Sequence, residues 1–80
     1  MSRSARVVLI GRAGCHLCDE ARDVVARVCT AAGVTWTEHD VDASPDLLAR
    51  YTDHVPVVLV DGVPHSRFRV DAARLRAALG

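Results

Sequence analysis

The sequence predicts a single α/β domain over residues 1–80, with the element order β-α-β-α-β-β-α and a mixed four-stranded sheet flanked by helices. Three observations support this prediction. Residues 6–10 form a short apolar run rich in β-branched residues, which is typical of a central strand buried on both faces. A helix and a second strand follow, and a strand–helix–strand unit implies a parallel pair. Asp61-Gly62 is a hairpin signal that makes the last two strands antiparallel.

The first helix is predicted over residues 15–32. Asp19 and Glu20 near its start and Arg27 near its end complement the helix macrodipole. Gly33 is well placed to end the helix. The apolar residues recur at helical spacing, with the charged residues largely outside their stripe, and they are Leu17, Ala21, Val24, Val25, Val28 and Ala32.

The next two elements are shorter. Residues 34–39 show an alternating pattern that contains β-branched and aromatic side chains, and this pattern predicts the second strand. Ser44 followed by Pro45 gives an N-cap and a proline at the first helical position. A short second helix is therefore predicted, ending near Tyr51.

A hairpin and a last helix complete the predicted domain. The third strand covers residues 55–60, with Pro56 near its start, where a missing N–H is tolerated. The fourth strand covers residues 64–69, and Asp71 caps the last helix. The predicted apolar face of that helix consists of Ala72, Leu75, Ala78 and Leu79.

Composition restricts the functions of the chain. Its 10 basic residues balance 10 acidic ones, and the basic residues are spread from Arg3 to Arg76 without a clustered face, which argues against nucleic-acid binding. No segment approaches the roughly 18 apolar residues of a membrane span. The apolar run after Arg6 is too short for the apolar region of a signal peptide. The sequence therefore predicts a cytoplasmic monomer that binds neither nucleic acid nor membrane.

The three cysteines cannot form a complete disulfide framework within one chain. In a reducing compartment, a close pair of cysteines is more often catalytic or metal-binding than structural. Cys15 and Cys18 lie at the start of the predicted helix, where positions i and i+3 share a face and two sulfurs come within disulfide reach. Cys29 lies about 16 Å further along the helix, too far to bond Cys18, and is expected to be a small core residue.

The position of the pair predicts a role for each cysteine. Cys15 is expected to be exposed at the end of the loop, where unpaired N–H groups and the helix dipole stabilise a thiolate. It is the predicted nucleophile, and Cys18, one turn further on, is the predicted resolving cysteine. Arg12 and His16 are candidates for further stabilisation of the thiolate. The alternatives are a solvated loop charge for Arg12 and a solvent-facing helix residue for His16.

A strand, a Cys-x-x-Cys motif that opens a helix and Val55-Pro56 at the head of the third strand resemble the glutaredoxin branch of the thioredoxin superfamily. Within it, residues 14–21 (Gly-Cys-His-Leu-Cys-Asp-Glu-Ala) most resemble bacterial glutaredoxin-like proteins of an uncharacterised domain family. The resemblance implies a thioredoxin fold and a cis bond before Pro56, which faces the disulfide. It also implies that the backbone of Val55 receives an extended substrate, with His54 beside it. Arg12 matches the family's basic position before the motif, a site associated with glutathione.

The sequence departs from typical glutaredoxins where glutathione would bind. His16-Leu17 replaces Pro-Tyr between the cysteines, and His54 replaces the threonine before Val-Pro. Residues 68–71 replace the Gly-Gly-acidic segment that holds glutathione carboxylates. The predicted function is a dithiol thiol–disulfide oxidoreductase without a bound cofactor. Its expected substrate is a disulfide-bearing protein or a glutathione mixed disulfide, and its electron donor is glutathione or a protein such as a thioredoxin reductase.

Two other functions stay open. A metal or iron–sulfur module would use Cys15, His16 and Cys18 as ligands. A structural zinc site commonly takes four ligands from two separated pairs, and this sequence has one pair, so no metal ligand is assigned. A non-catalytic interaction module of the same fold is the other alternative, because fold does not determine function. His39 and His65 are expected at the surface.

Overall fold

The computed structural model describes residues 5–67 and 69–80, and the predicted order of strands and helices is confirmed. The strands are β1 (Val7–Gly11), β2 (Trp36–Asp40), β3 (Val57–Val60) and β4 (Val63–Arg67). The helices are α1 (His16–Ala32), α2 (Pro45–Tyr51) and α3 (Ala72–Leu79). A short 3₁₀ turn at Val41–Ala43, which was not predicted, joins β2 to α2.

The four strands form one mixed sheet in the order β2-β1-β3-β4. As predicted, β1 runs parallel to β2, and β3 and β4 form an antiparallel hairpin. Asp61 and Gly62 both have positive φ angles, 52° and 84°. Two successive residues in this conformation are what a tight I′ hairpin turn requires. Arg6 donates to both carboxylate oxygens of Asp61, which lowers the pKa of Asp61 and ties the hairpin to the start of β1.

Strand β1 lies inside the sheet and packs on both faces, because successive side chains of a strand point to opposite sides. Its residues Val7 and Leu9 belong to a cluster shared with α1, β3 and α3, formed with Ala21, Val25, Val28, Cys29, Val58, Val60 and Leu75. Its residue Ile10 belongs to a second cluster with Val41 and Val57, against which Val8, Leu47, Tyr51, Val55 and Leu59 pack. Helices α1 and α3 therefore cover one face of the sheet and α2 covers the other. This explains why β1 is apolar at consecutive positions.

The bounds of the strands differ from the predictions by one or two residues. Strand β3 begins at Val57 rather than at residue 55, since Pro56 has no N–H to donate to a neighbouring strand. Strand β4 ends at Arg67, two residues before the predicted end, and residue 68 of the predicted strand lies outside the described residues.

The buried face of helix α1 matches most of the predicted apolar stripe. Its buried residues are Cys18, Ala21, Val25, Val28 and Cys29. Leu17 and Val24 are half-buried at the edge of the stripe. Ala32, the last residue of the predicted stripe, is exposed, so the buried face ends earlier than predicted, at Cys29. Gly33 ends the helix as predicted, with a φ of 69°.

Helix α3 has a narrower apolar face than predicted. Leu75 is fully buried and Leu79 is half-buried. Ala72 and Ala78 are exposed, so their predicted core positions are wrong. Of this helix, Leu75 belongs to the core cluster and Leu79, one turn further on, packs against it. Asp71 caps the helix as predicted, accepting the N–H groups of Ala73 and Arg74.

Candidate active site

The two cysteines of the motif come together at the junction of β1 and α1. Cys15 is the N-cap residue of α1, and Cys18 lies in its first turn. Their Cα atoms are 5.1 Å apart and their Sγ atoms form a disulfide pair. Disulfides usually span about 4.4–6.8 Å between Cα atoms. The predicted proximity of the two sulfurs is therefore confirmed.

The sulfur of Cys15 takes the place of a helix-capping oxygen. The backbone N–H of Cys18 donates to Cys15 Sγ over 3.2 Å, and the C=O of Cys15 accepts the N–H of Asp19 over 3.1 Å. At an ordinary N-cap, a serine, threonine or aspartate oxygen accepts this N–H. The first N–H groups of a helix have no partner within the helix and carry the positive end of its dipole. This position therefore favours negative charge on Cys15 Sγ when the pair is reduced.

The two sulfurs differ in accessibility. Cys18 is fully buried, whereas Cys15 is half-buried. Cys15 is thus less exposed than the sequence predicts, since its side chain turns toward the N–H of Cys18 instead of into solvent. The order of access is nevertheless the predicted one. A disulfide that approaches from outside meets Cys15 before Cys18.

Gly11, the last residue of β1, allows α1 to lie close to the sheet at the disulfide. A Cβ atom at this position would lie 3.3 Å from both Cβ and Sγ of Cys18. This contact was not predicted from the sequence, although a glycine at the end of a buried strand is a recognised sign of close backbone approach. Gly11 therefore belongs to the candidate site.

Gly11→Ala is expected to lower the free energy of unfolding by about 1–3 kcal/mol, the usual cost of adding a methyl group to a packed interior. Cys18 is fully buried in α1, so it has little room to move away from the new Cβ. Urea denaturation followed by circular dichroism measures the change. The control is Ala13→Ser, at an exposed position of the adjacent loop, which is expected to leave the midpoint unchanged. An unchanged midpoint for Gly11→Ala would contradict the prediction.

Arg12 lies in the loop before Cys15, and its guanidinium binds two distant residues. It donates to both carboxylate oxygens of Asp42 over 2.9 and 3.1 Å. It also donates to Oγ1 and the backbone C=O of Thr52 over 3.0 and 3.3 Å. The hydrogen bond with Asp42 raises the pKa of Arg12 above its ordinary value, so the guanidinium stays charged. Its roles toward the thiolate and glutathione stay predictions.

His16 lies in solvent. Its side chain is 89% exposed, and Nε2 is 3.5 Å from the carboxylate of Glu20, one turn further along α1. The structure thus places the imidazole on the outer side of the helix, beside an acidic group. Stabilisation of the Cys15 thiolate by His16 stays a prediction.

The segment before β3 leads into the strand that pairs with β1. The Val55–Pro56 peptide bond is cis, as the resemblance implies. Val57 pairs with Ile10, so continuing the antiparallel register by one residue places the buried Pro56 opposite Gly11. Since Gly11 lies against Cys18, this continuation of the register predicts that Pro56 lies near the cysteine pair.

His54 and Val55, which lead into Pro56, are half-buried. The N–H of His54 donates to the C=O of Tyr51 over 2.8 Å, closing the turn after α2. Of the two histidines predicted at the surface, His39 is exposed and His65 is half-buried.

Cys29 lies outside this site. Cys29 is fully buried in the core, and burial raises the pKa of its thiol, so it behaves as the expected small core residue.

Within the described residues, no group of three or more His, Cys, Asp or Glu side chains is placed to hold a metal ion. Across the same residues, no helix is both long enough and apolar enough to cross a membrane.

Comparison with known proteins places the chain in a family. A family model described as a glutaredoxin-like domain (DUF836) matches residues 6–80. The uncharacterized protein Rv0508 of Mycobacterium tuberculosis is 40% identical over an alignment of 82 residues, gaps included, that covers 96% of this chain and 84% of that protein.

Two solved structures share the architecture. The X-ray structure of protein XcR50 from X. campestris is 30% identical and has a TM-score of 0.74, covering 91% of this chain and 93% of that one. Thioredoxin 1 from Thermosipho africanus is 15% identical with a TM-score of 0.67, covering 91% of this chain and 88% of that one, and shows the fold alone. The predicted thioredoxin fold is confirmed. With the family model matching nearly its whole length, the chain belongs to the glutaredoxin-like domain family.

Proposed function

We propose that this chain is a dithiol thiol–disulfide oxidoreductase in which Cys15 is the nucleophile and Cys18 the resolving cysteine. The observation that supports it most is the position of Cys15 as the N-cap of a 17-residue helix, with the N–H of Cys18 donating to its sulfur. A thiolate is the reactive form of cysteine, and a helix N-terminus lowers the pKa of a thiol. The buried Cys18 lies one turn away, within reach of Cys15.

The first step is attack on the substrate disulfide. The thiolate of reduced Cys15 forms a bond to one substrate sulfur, and the substrate S–S bond breaks. The second substrate sulfur leaves as a thiolate and takes a proton from solvent. The product is a mixed disulfide between Cys15 and the substrate.

The second step releases the substrate. Cys18 loses its proton to solvent, and its thiolate attacks Cys15 Sγ, breaking the mixed disulfide and freeing the second substrate thiol. Two electrons have then passed from the protein to the substrate, and Cys15 and Cys18 are left as a disulfide. A thiol reductant, either two molecules of glutathione or a dithiol protein, returns the two electrons. No bound cofactor is needed, and the reducing cytoplasm would supply such donors.

The substrate-facing residues proposed beside the cysteines are His54, Val55 and Pro56. They precede β3, the strand that pairs with β1, and continuing that register by one residue would set Pro56 opposite Gly11, which supports their place beside the pair. An extended peptide can hydrogen-bond to the backbone of such a segment without a requirement for a particular side chain. A disulfide-bearing protein or a glutathione mixed disulfide is therefore the proposed substrate.

Two assays test this function. The oxidised protein is offered NADPH, glutathione and glutathione reductase in one assay, and NADPH with thioredoxin reductase in the other, with insulin as the disulfide substrate. Turnover with either donor supports the proposal and identifies the reductant. Failure with both donors and with dithiothreitol would refute it. Stoichiometric metal in the purified protein would instead favour the metal-binding alternative.

The reactivity of reduced Cys15 should depend on pH. We expect the rate of its alkylation by iodoacetamide to fall as the pH drops through a midpoint below about 8.5, the ordinary cysteine pKa. The reason is that the helix N-terminus favours the thiolate over the thiol. Mass spectrometry of quenched samples gives the rate at each pH. A midpoint at or above the ordinary value would contradict the capping role of Cys15.

A further inference from the structure

Arg12 connects three segments around the disulfide. It lies three residues before Cys15, and its backbone C=O accepts the N–H of Cys15 over 3.3 Å. Its guanidinium binds Asp42, in the 3₁₀ turn after β2, and Thr52, the C-cap of α2. One side chain therefore joins the loop that carries the nucleophile to two segments on the face of the sheet opposite α1.

Thr52 begins the segment that leads to the cis proline. Its N–H donates to the C=O of Leu48 over 3.2 Å at the end of α2, and the N–H of His54 closes the next turn. Residues 52–56 belong to neither a helix nor a strand. Their position relative to Cys15 therefore depends on local contacts, and the two hydrogen bonds from Arg12 to Thr52 are such contacts.

We infer that Arg12 is a positioning residue that, by holding Asp42 and Thr52, fixes the distance between Cys15 and the substrate-facing segment at residues 54–56. This inference rests on the proposed function. A guanidinium has five N–H donors in a rigid fork. Here Nε, Nη1 and Nη2 all donate within the chain. A carboxylate of glutathione would have to displace Asp42 from the Nε–Nη2 fork or Thr52 from the Nη1–Nη2 fork, so the role of Arg12 is alignment common to all disulfide substrates.

The chain contains a matched control for Arg12. Arg6 makes the same two-oxygen pair with Asp61, over 2.9 and 3.0 Å. The side chains of Arg6 and Arg12 have similar exposure, 42% and 35%. The two arginines flank opposite ends of β1, so Arg6→Ala removes an equivalent ion pair far from the disulfide.

The kinetic test uses two peptide substrates, one glutathionylated and one joined to a second peptide by a disulfide without glutathione. Arg12→Ala is expected to lower kcat/KM about ten-fold for both, through a raised KM, which is less than the roughly hundredfold loss of rate that a misplacement of 1 Å can cause. Asp42→Ala is expected to raise KM for both in the same way, because it removes the partner of Arg12. Arg6→Ala is expected to leave KM unchanged. The pH midpoint of Cys15 alkylation should stay that of the wild type in all three variants.

A second measurement does not depend on activity. Hydrogen exchange of the His54 amide, measured by NMR, is expected to become faster in Arg12→Ala and Asp42→Ala but not in Arg6→Ala. Arg12→Lys should restore little of the protection, since an ammonium lacks the planar fork.

Three results would overturn the positioning role in an active enzyme. A KM increase confined to the glutathionylated peptide, with a lower KM for that peptide in Asp42→Ala, would make Arg12 a glutathione-binding residue. A shifted alkylation midpoint in Arg12→Ala would make it a thiolate-stabilising residue. Unchanged exchange at His54 would show that Arg12 does not hold the segment. A wild-type chain without reductase activity would instead overturn the proposed function, and the positioning role with it.

Discussion

Cys15→Ser is expected to reduce disulfide reductase activity to background, a loss of roughly 10³-fold or more, as is usual when a catalytic nucleophile is removed. A serine hydroxyl at the N-cap can accept the same N–H as the sulfur, so the helix should keep its cap. The variant therefore removes the chemistry while preserving the fold. Insulin reduction with dithiothreitol as electron donor measures the activity, and circular dichroism checks the fold.

Cys18→Ser separates the two cysteine roles. In the proposed mechanism the buried Cys18 resolves the mixed disulfide but is not needed for the first attack, so this variant should accumulate a covalent adduct with the substrate. Non-reducing mass spectrometry detects the adduct as the mass of the protein plus the part of the substrate that stays bound after the leaving thiol has departed. Cys15→Ser should form no such adduct. If Cys15→Ser retained full activity, or if the adduct formed through Cys18, the assignment of nucleophile and resolving residue would be wrong.

The features that sequence could predict are those written in short stretches of chain. The spacing of apolar residues in α1, the Asp61-Gly62 turn and the continuous apolar run of β1 each depend on neighbours within a few residues. The Cys15–Cys18 pair is of the same kind, because i, i+3 positions on a helix meet whatever the rest of the fold does. These features were confirmed.

The features that sequence could not predict depend on distant partners. Arg12 meets Asp42 and Thr52, which are 30 and 40 residues away along the chain, and no local pattern connects them. The exposure of Ala72 and Ala78 depends on how α3 lies against α1, which its own apolar spacing leaves undetermined. The contact of Gly11 with Cys18 likewise depends on how closely a helix approaches a strand. In each case tertiary packing decides what local spacing leaves open.

The buried centre of the sheet should dominate stability. Leu9 is fully buried in β1 and belongs to the cluster that joins the sheet to α1 and α3. Leu9→Ala is expected to lower the free energy of unfolding by about 2–5 kcal/mol, through lost apolar burial and the cavity left behind. A domain of this size has a total stability of roughly 4–12 kcal/mol at typical values per residue. The substitution therefore removes a large share of it.

Leu48→Ala is the matched control, since it makes the same change at a side chain on α2 that is 38% exposed. Its expected effect is within about 0.5 kcal/mol, as is usual for surface positions. Thermal unfolding of the three proteins distinguishes the two sites, because 1 kcal/mol shifts Tm by roughly 4–8 °C in a domain of 60–100 residues. Leu9→Ala should therefore melt at least about 8 °C below the wild type. Equal shifts for the two variants would mean that the inner strand is not the centre of the core, because burial is the main difference between the two leucines.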